Sequence, residues 1–327
     1  MRIGRLPTLN FFVRRMAQSA LLIVVLICLN FTLIHLAPGD PVNLLAGQSG
    51  DAAYYEFIRA KFGLDQPLAT QLGIYLSNVV RGDLGFSLGF QQPVSAVILS
   101  RVPATLMLMG SALIVSTVAG VWLGVRAAQR QGSGVDRAIV AGSVISDSIP
   151  SFCLGQAALL VFSLWLNLFP AQGFVDAGAN LSGADYWLDV ISHLVLPATT
   201  LAIVQIAVTI RLTRTQMLSV LNEDYVRTAR AKGVSESGVL YRHGLRNALL
   251  PIVTTLGGEV GMLLSGAALI ETVFAYPGIG RLLLEAVAMR DYPVLLGLML
   301  MTSVTVVLAN LLTDLCYSLL DPRIVTH

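Results

Sequence analysis

The apolar residues of this chain gather into six long runs, separated by short polar turns and one long mixed segment. The first, Met16 to Ala37, has twenty-two residues without Lys, Arg, Asp or Glu. At about 1.5 Å of rise per residue it reaches about 33 Å, enough to cross the hydrocarbon core of a bilayer. It is too long for the apolar part of a signal peptide, and no small-residue cleavage site follows it, so it predicts a retained span. Val102 to Val125 is the second run, with Gly120 and Gly124 spaced as a small-residue packing face. Ala138 to about Leu166 is the third, interrupted by Asp147 and kinked at Pro150; His193 to Ile210 is the fourth, shaped at Pro197. Leu249 to Phe274 is the fifth and carries Gly257, Gly258, Gly261, Gly266 and Glu259; the sixth opens at Asp291-Tyr292-Pro293 and runs to about Leu320. The expected fold class is an all-α polytopic membrane protein with six transmembrane helices.

The polar stretches give the topology. Residues 42 to about 100 contain Asp51, Glu56, Asp65 and Asp83 against Arg59, Lys61 and Arg81, with amphipathic pieces at Tyr54 to Phe62 and Leu68 to Val80. Without a spanning run, this segment is expected outside the membrane, between spans one and two. Phe169 to Ser192 has Asp176, Asp185 and Asp189 and no base, the composition of another outside loop. Pro277, Gly278 and Gly280 predict a sharp turn, and Leu282 to Ala288 is too short to span, so a re-entrant or surface helix is expected there. With six spans, fifteen of the 21 basic residues fall on inside segments, which places both termini inside. The division expected is 1–95 for the first helix and outside segment, 96–320 for a five-helix core, and 321–327 for a tail.

Composition agrees: 55% hydrophobic and 12% charged residues exclude a soluble globular domain and a disordered chain. The net charge of +2 sums over two opposed surfaces and gives no sign of a nucleic-acid partner. Cys28, Cys153 and Cys316 lie in apolar runs without a CxxC pair and read as ordinary buried cysteines.

Residues 219 to 251 form the longest polar, basic stretch between two spans. Asn222 suits an N-cap, Glu223 and Asp224 put negative charge in a first turn, Arg230 and Lys232 put positive charge in a last, and Gly233 suits a stop. A helix of about three turns is expected, with Glu223 and Arg227 at i,i+4 and with Tyr225, Val226, Ala229 and Gly233 on another side. A small-residue face with one aromatic knob suits insertion into another protein's groove; a solvated inside loop that only sets topology is the plainer alternative.

Asp224-Tyr225-Val226-Arg227-Thr228-Ala229-Arg230-Ala231-Lys232-Gly233 resembles the cytoplasmic EAA loop of ABC-transporter permeases, in the form found in dipeptide, oligopeptide and nickel permeases. Arg227-Thr228-Ala229 stands where the general motif has Glu-Ala-Ala, and the distance from Gly233 to Pro251 exceeds the usual spacing, both features of the peptide and nickel branch. Pro38-Gly39-Asp40-Pro41, Phe62-Gly63-Leu64-Asp65-Gln66-Pro67, Gly82-Asp83-Leu84-Gly85, Glu271 to Arg281, Asp291-Tyr292-Pro293 and Asp321-Pro322-Arg323 extend the resemblance over nearly the whole chain. It implies a type I ABC importer permease fold in a prokaryotic inner membrane. It also implies four kinds of contact: a homologous second permease, two ATPase subunits, an extracytoplasmic solute-binding protein and the lipid bilayer. Asp224, Tyr225, Arg227, Ala229, Arg230 and Gly233 are the implied ATPase-coupling residues. Peptide is the expected cargo, with a nickel chelate or glutathione as the alternative.

Asp147 and Glu259 are candidates for the pathway or a gate. Asp147 lies about 14 Å into a helix that starts at Ala138, where a carboxylate costs about 2.5–3.5 kcal/mol unless it is paired or wet. A proton-coupled secondary transporter built on these two acids is the rival from another class, and it predicts transport without an ATPase. No catalytic site, cofactor site or metal site is expected. The only lysines, Lys61 and Lys232, follow alanines, so there is no Gly-Lys-Ser/Thr phosphate loop, and His35, His193, His243 and His327 are scattered. The resemblance implies that ATP and Mg are bound by the partner ATPase subunits.

Overall fold

The computed structural model describes residues 9–36, 42, 51–176, 178–179, 181–258 and 260–320. Glu259 and the motifs at 38–41 and 321–323 lie outside the described residues, as does the side chain of Cys316. The helices are α1 Leu9–Leu36, α2 Ala52–Phe62, α3 Leu68–Val80, α4 Val94–Gln129, α5 Gly134–Ser148, α6 Ser151–Ala158, α7 Ala184–Leu221, α8 Asp224–Ala231, α9 Arg246–Gly258, α10 Val260–Val273, α11 Ile279–Met289 and α12 Tyr292–Leu320. π-helical segments Leu159–Trp165 and Gly238–Leu245 continue α6 and precede α9, and a two-residue-per-strand hairpin pairs β1 Phe86–Ser87 with β2 Gln92–Pro93.

Four helical stretches among the described residues are long and apolar enough to cross a membrane: Val13–Thr32, Val94–Gln129, Ala184–Leu221 and Tyr292–Leu311. The third predicted run is not a kinked rod. It is a pair, Gly134–Ser148 and Ser151–Trp165, bent by 98°. Pro150 sits at the N-cap of α6, and the residue before it, Ile149, is driven to extended backbone, as a proline demands. The fifth run is α9 and α10, on either side of residue 259. The second and fourth runs are cores of longer helices of 36 and 38 residues. At about 1.5 Å per residue α7 spans about 57 Å and outruns the hydrocarbon core.

The described residues form two compact units, one drawn from Leu106–Tyr276 and 312–320, the other from 9–105 and Pro277–Leu311. In the first, α4 lies against α7 with almost no side chain between them. A methyl on Gly120 would meet Thr209 Cβ at 2.6 Å, and one on Gly124 would meet Thr213 Cβ at 2.5 Å and the Ile210 carbonyl at 2.9 Å. The predicted small-residue face is therefore a helix-packing face. Below it, Val125, Ala128, Met217, Leu240, Ala248 and Ile252 form a buried apolar cluster. The end of α10 closes as a Schellman motif, with Tyr276 N–H donating to Glu271 O at 2.7 Å and Ala275 N–H donating to Thr272 O at 3.2 Å. The left-handed residue there is Ala275, φ +47°, so the predicted turn begins before Pro277.

In the second unit, Val94, Val97 and Ile98 of α4 pack with Ile279, Leu282 and Ala286 of α11 and Val294 and Leu298 of α12. The expected short helix is α11, tied to α4 by Ile279 N–H on Thr105 Oγ1 at 2.8 Å and by Glu285, which sits 2.8 Å from Arg281 and 3.8 Å from Arg101. Asp291 is buried and caps α12: Val294 N–H donates to Oδ1 at 3.3 Å, and Ser87 Oγ, from the hairpin, donates to Oδ2 at 2.5 Å. The family-like Asp291-Tyr292-Pro293 motif is thus joined through its carboxylate to the hairpin.

His35 contacts Gln71 Oε1 at 2.9 Å, and Gln71 donates to Leu64 O at 3.2 Å and Gln66 O at 2.8 Å, which fixes the Phe62 to Pro67 turn. Lys61 holds Asp83 at 2.8 Å. Burial pushes the Asp83 carboxyl up, but the Lys61 hydrogen bond, the Gly85 N–H and the Lys61 charge outweigh it, so it titrates below its ordinary value of 3.8. This tie stabilises the unit at all pH above the ordinary carboxylate range and is lost as the pH falls through the lowered value. Asp83→Asn is expected to abolish that acid-dependent loosening, measured as proteolytic cleavage between α2 and the hairpin across the acid range. The effect is small because both partners are partly solvated. Of the cysteines, Cys28 is half-buried but Cys153 is exposed, so the expectation of burial fails there: α6 turns that side chain out from the unit.

Candidate functional site

The basic stretch folds as α8, a helix of 8 residues between α7 and the π-helical segment. It is shorter than expected because its N-cap is Glu223, not Asn222. Asn222 closes α7 instead, its Nδ2 donating to Leu218 O at 2.9 Å. Glu223 takes extended backbone with φ −70° and ψ 149°, and its carbonyl receives the N–H groups of Val226 and Arg227 at 3.0 and 3.3 Å. The expected Glu223 to Arg227 pair is replaced by an i,i+3 contact, Arg227 to Asp224 at 3.3 Å, with a second Arg227 bond to Asn222 O at 3.2 Å. Arg230 reaches forward to Glu236 at 2.9 Å.

The C-terminus forms where the stop signal predicts. Gly233 adopts φ +77°, its N–H donates to Arg230 O at 3.0 Å and Val234 N–H donates to Ala229 O at 3.2 Å, the paired bonds of a Schellman cap. A methyl at Gly233 would meet no atom within 4 Å, so only the backbone conformation selects glycine here.

The faces of α8 differ from the sequence expectation. Val226 and Ala229 are buried in this chain, at 0% and 6% exposure, so the small-residue face seats the helix on its own body. The aromatic knob is anchored too: Tyr225 Oη accepts from Asn247 Nδ2 at 2.8 Å and lies 3.5 Å from His243 O, while the residue stays 42% exposed. Beneath it, Gly244 comes so close to α7 that an added methyl would touch Met217 at 3.1 Å and Leu221 at 3.3 Å. What faces outward is Asp224, Arg227, Thr228 and Arg230. α8 is thus a short helix fastened to the end of the 38-residue α7, with its charged side chains on the open face.

Residues 120–326 match the profile of binding-protein-dependent transport system inner membrane components, and residues 8–109 match the N-terminal profile of the same systems. The chain belongs to this family. The permease is 40% identical over 316 residues to the glutathione transport system permease protein GsiC of Escherichia coli O6:H1 (strain CFT073), covering 97% of this chain and 99% of the relative. It is 39% identical over 334 residues to the dipeptide transport system permease protein DppB of Escherichia coli (strain K12), covering 97% and 98%. Its fold matches a chain of the MetNI methionine ABC transporter in inward-facing conformations, with a TM-score of 0.56, 17% identity, and coverage of 71% of this chain and 97% of that one. The permease is thus a membrane-spanning transport subunit of type I ABC importer fold and is not itself an enzyme.

Asp147, one of the two predicted acids of the permease, has a partner: Arg211 Nη2 lies 2.9 Å from its Oδ2, and the two side chains are 44% and 38% exposed. The second acid, Glu259, lies outside the described residues. A buried pair on the same two helices escapes the sequence reading. Asp136 is 3% exposed, accepts from Arg214 Nε at 2.7 Å and Nη2 at 2.8 Å, and also takes the Gly132 N–H at 2.9 Å. Its only sequence signal is an acid three residues after Ser133, the N-cap of α5. Glu271, fully buried at the end of α10, carries no signal in the sequence beyond its place in a motif. Among the described residues no group of three His, Cys, Asp or Glu is arranged to hold a metal.

Proposed function

We propose that this permease imports di- or oligopeptides, driven by ATP on partner subunits. The observation that carries this reading is similarity over almost the full length to a dipeptide and a glutathione transport permease, both of which are named for peptidic cargo. The complex comprises this chain, a homologous second permease, two ATPase subunits that bind ATP and Mg, and an extracytoplasmic solute-binding protein. Both termini lie in the cytoplasm, residues 1–95 contribute the first helix and the outer segment, and the five-helix core from residue 96 carries the cargo. Glutathione is the second reading, favoured by the 40% identical relative.

In mechanism, α8 docks on an ATPase subunit. Asp224, Arg227 and Arg230 form the polar contact, while Tyr225 and Ala229 fasten the helix to the permease and Gly233 ends it. Closure of the ATPases displaces α8, and α7 carries the displacement into the bundle. ATP does work only because its partner binds α8 differently in the two conformations. Asp147 lines the route with Arg211, and Glu259 is the second pathway candidate.

The test is uptake of labelled dipeptide into proteoliposomes holding the complete complex and its binding protein. ATP-dependent accumulation is expected, with none when ATPases are omitted. Accumulation by the permease alone under a proton gradient would replace this reading with secondary transport.

A further inference from the structure

The Asp147 and Arg211 pair has an unusual setting. Both residues belong to helices that enter the membrane-spanning set, α5 and α7, yet both side chains are about two-fifths exposed. Charged groups turned toward hydrocarbon are costly, so the open side of this pair faces a polar surrounding, either water or the polar surface of another subunit. It also stands directly before the 98° break at Ser148 to Ser151. By contrast Asp136 and Arg214, on the same two helices, are joined by two hydrogen bonds with the carboxylate buried. One pair is built as a fastener; the other is a single contact left open on the surface of this chain.

We propose that Asp147 and Arg211 form a recognition site for the free termini of a peptide, the carboxylate taking the cargo's ammonium and the guanidinium taking its carboxylate. This rests on the reading of the permease as a peptide importer. The pair is neutral and so is a zwitterionic peptide, so opening the pair around the cargo exchanges one ion pair for two without burying net charge. The guanidinium fork matches a carboxylate in two parallel hydrogen bonds, which a lysine would not reproduce. An extended dipeptide separates its termini by about 7 Å. Arg211 makes that gap by swinging its long stem off Asp147, which its exposure permits. Partly solvated ion pairs bind weakly, and a carrier needs a site that releases its cargo.

The test uses the complete complex of both permeases and ATPases in lipid nanodiscs, without the binding protein, whose own selectivity would mask this site. Equilibrium binding of labelled dialanine, N-acetyl-dialanine and dialanine amide is compared. The wild type is expected to prefer dialanine over each blocked form by about fivefold. Asp147→Asn should erase the preference for a free amine and keep that for a free carboxylate. Arg211→Gln should do the reverse, and Arg211→Lys should retain part of the carboxylate preference. Equal affinity for the three ligands in the wild type, no binding of any, or equal weakening of all three by both variants would overturn the proposal; the last result is that of a simple latch. ATP hydrolysis is read in parallel. Uptake by the same complex is read separately, in proteoliposomes with the binding protein: ATP-driven dipeptide uptake there with no terminal preference in the nanodiscs sinks this inference alone, whereas no ATP-driven uptake in the proteoliposomes sinks the importer reading beneath it.

Discussion

Gly124→Leu is expected to remove the permease from the monodisperse, detergent-soluble fraction almost entirely. At this position even a single methyl would stand 2.5 Å from Thr213 Cβ and 2.9 Å from the Ile210 carbonyl. The carbonyl is backbone and cannot rotate away, so α4 and α7 must separate, at a cost of about 3 kcal/mol or more. A sharper form of the test lies one turn earlier. At Gly120 the two close atoms both belong to Thr209, at 2.6 and 2.7 Å, and the next, Ile206 O, is at a tolerable 3.4 Å. Gly120→Ala should therefore lower the thermal aggregation midpoint, and adding Thr209→Gly should recover most of it. A double variant as damaged as Gly120→Ala alone would mean that α4 does not pack on α7 in this register.

Arg214→Ala should be nearly as damaging, by about 3–5 kcal/mol, because it leaves the Asp136 carboxylate buried with its two strongest hydrogen bonds gone. Asp136→Asn in the same chain should recover part of the loss, since the stranded charge is then removed. Arg214→Lys should fall between, keeping charge but losing the two-pronged contact. Melting of purified permease in detergent measures all three. If Arg214→Ala melts at the same temperature with and without Asp136→Asn, the pair is not holding α5 to α7.

The contrast between these two features explains what the sequence makes legible. Gly120 and Gly124 announce themselves by spacing along one helix, and the partner helix needs no identification for the face to be recognised. Asp136 and Arg214 are 78 residues apart, and a count of charges per segment treats each as a loop residue. The same partner-blindness shortens α7 in the sequence reading: Arg211 and Arg214 look like the end of an apolar run. In the fold α7 runs through both to Leu221, and each meets a carboxylate on α5.

At the end of α8, glycine at a left-handed position leaves few alternatives, so the stop at Gly233 is readable. Asn222 is equally suited to close the preceding helix or open the next, and its neighbours do not decide which. Nor does the pattern reveal which face of α8 is already occupied. Val226 and Ala229 have the size and spacing of a docking surface, and they do dock, but onto the permease itself.

The most direct test of the central claim, that α8 joins this permease to its ATPases, is affinity purification of the tagged chain from mild detergent with its partners co-expressed. Wild type is compared with Arg227→Glu, which reverses charge on the outward face, and with Gly233→Pro, which cannot adopt φ +77° and loses the N–H that caps the helix. ATPase subunits retained by the wild type and lost from both variants, with the second permease retained by all three, is the predicted result. Undiminished ATPase recovery with Arg227→Glu and Gly233→Pro, or no ATPase with the wild type, would contradict it.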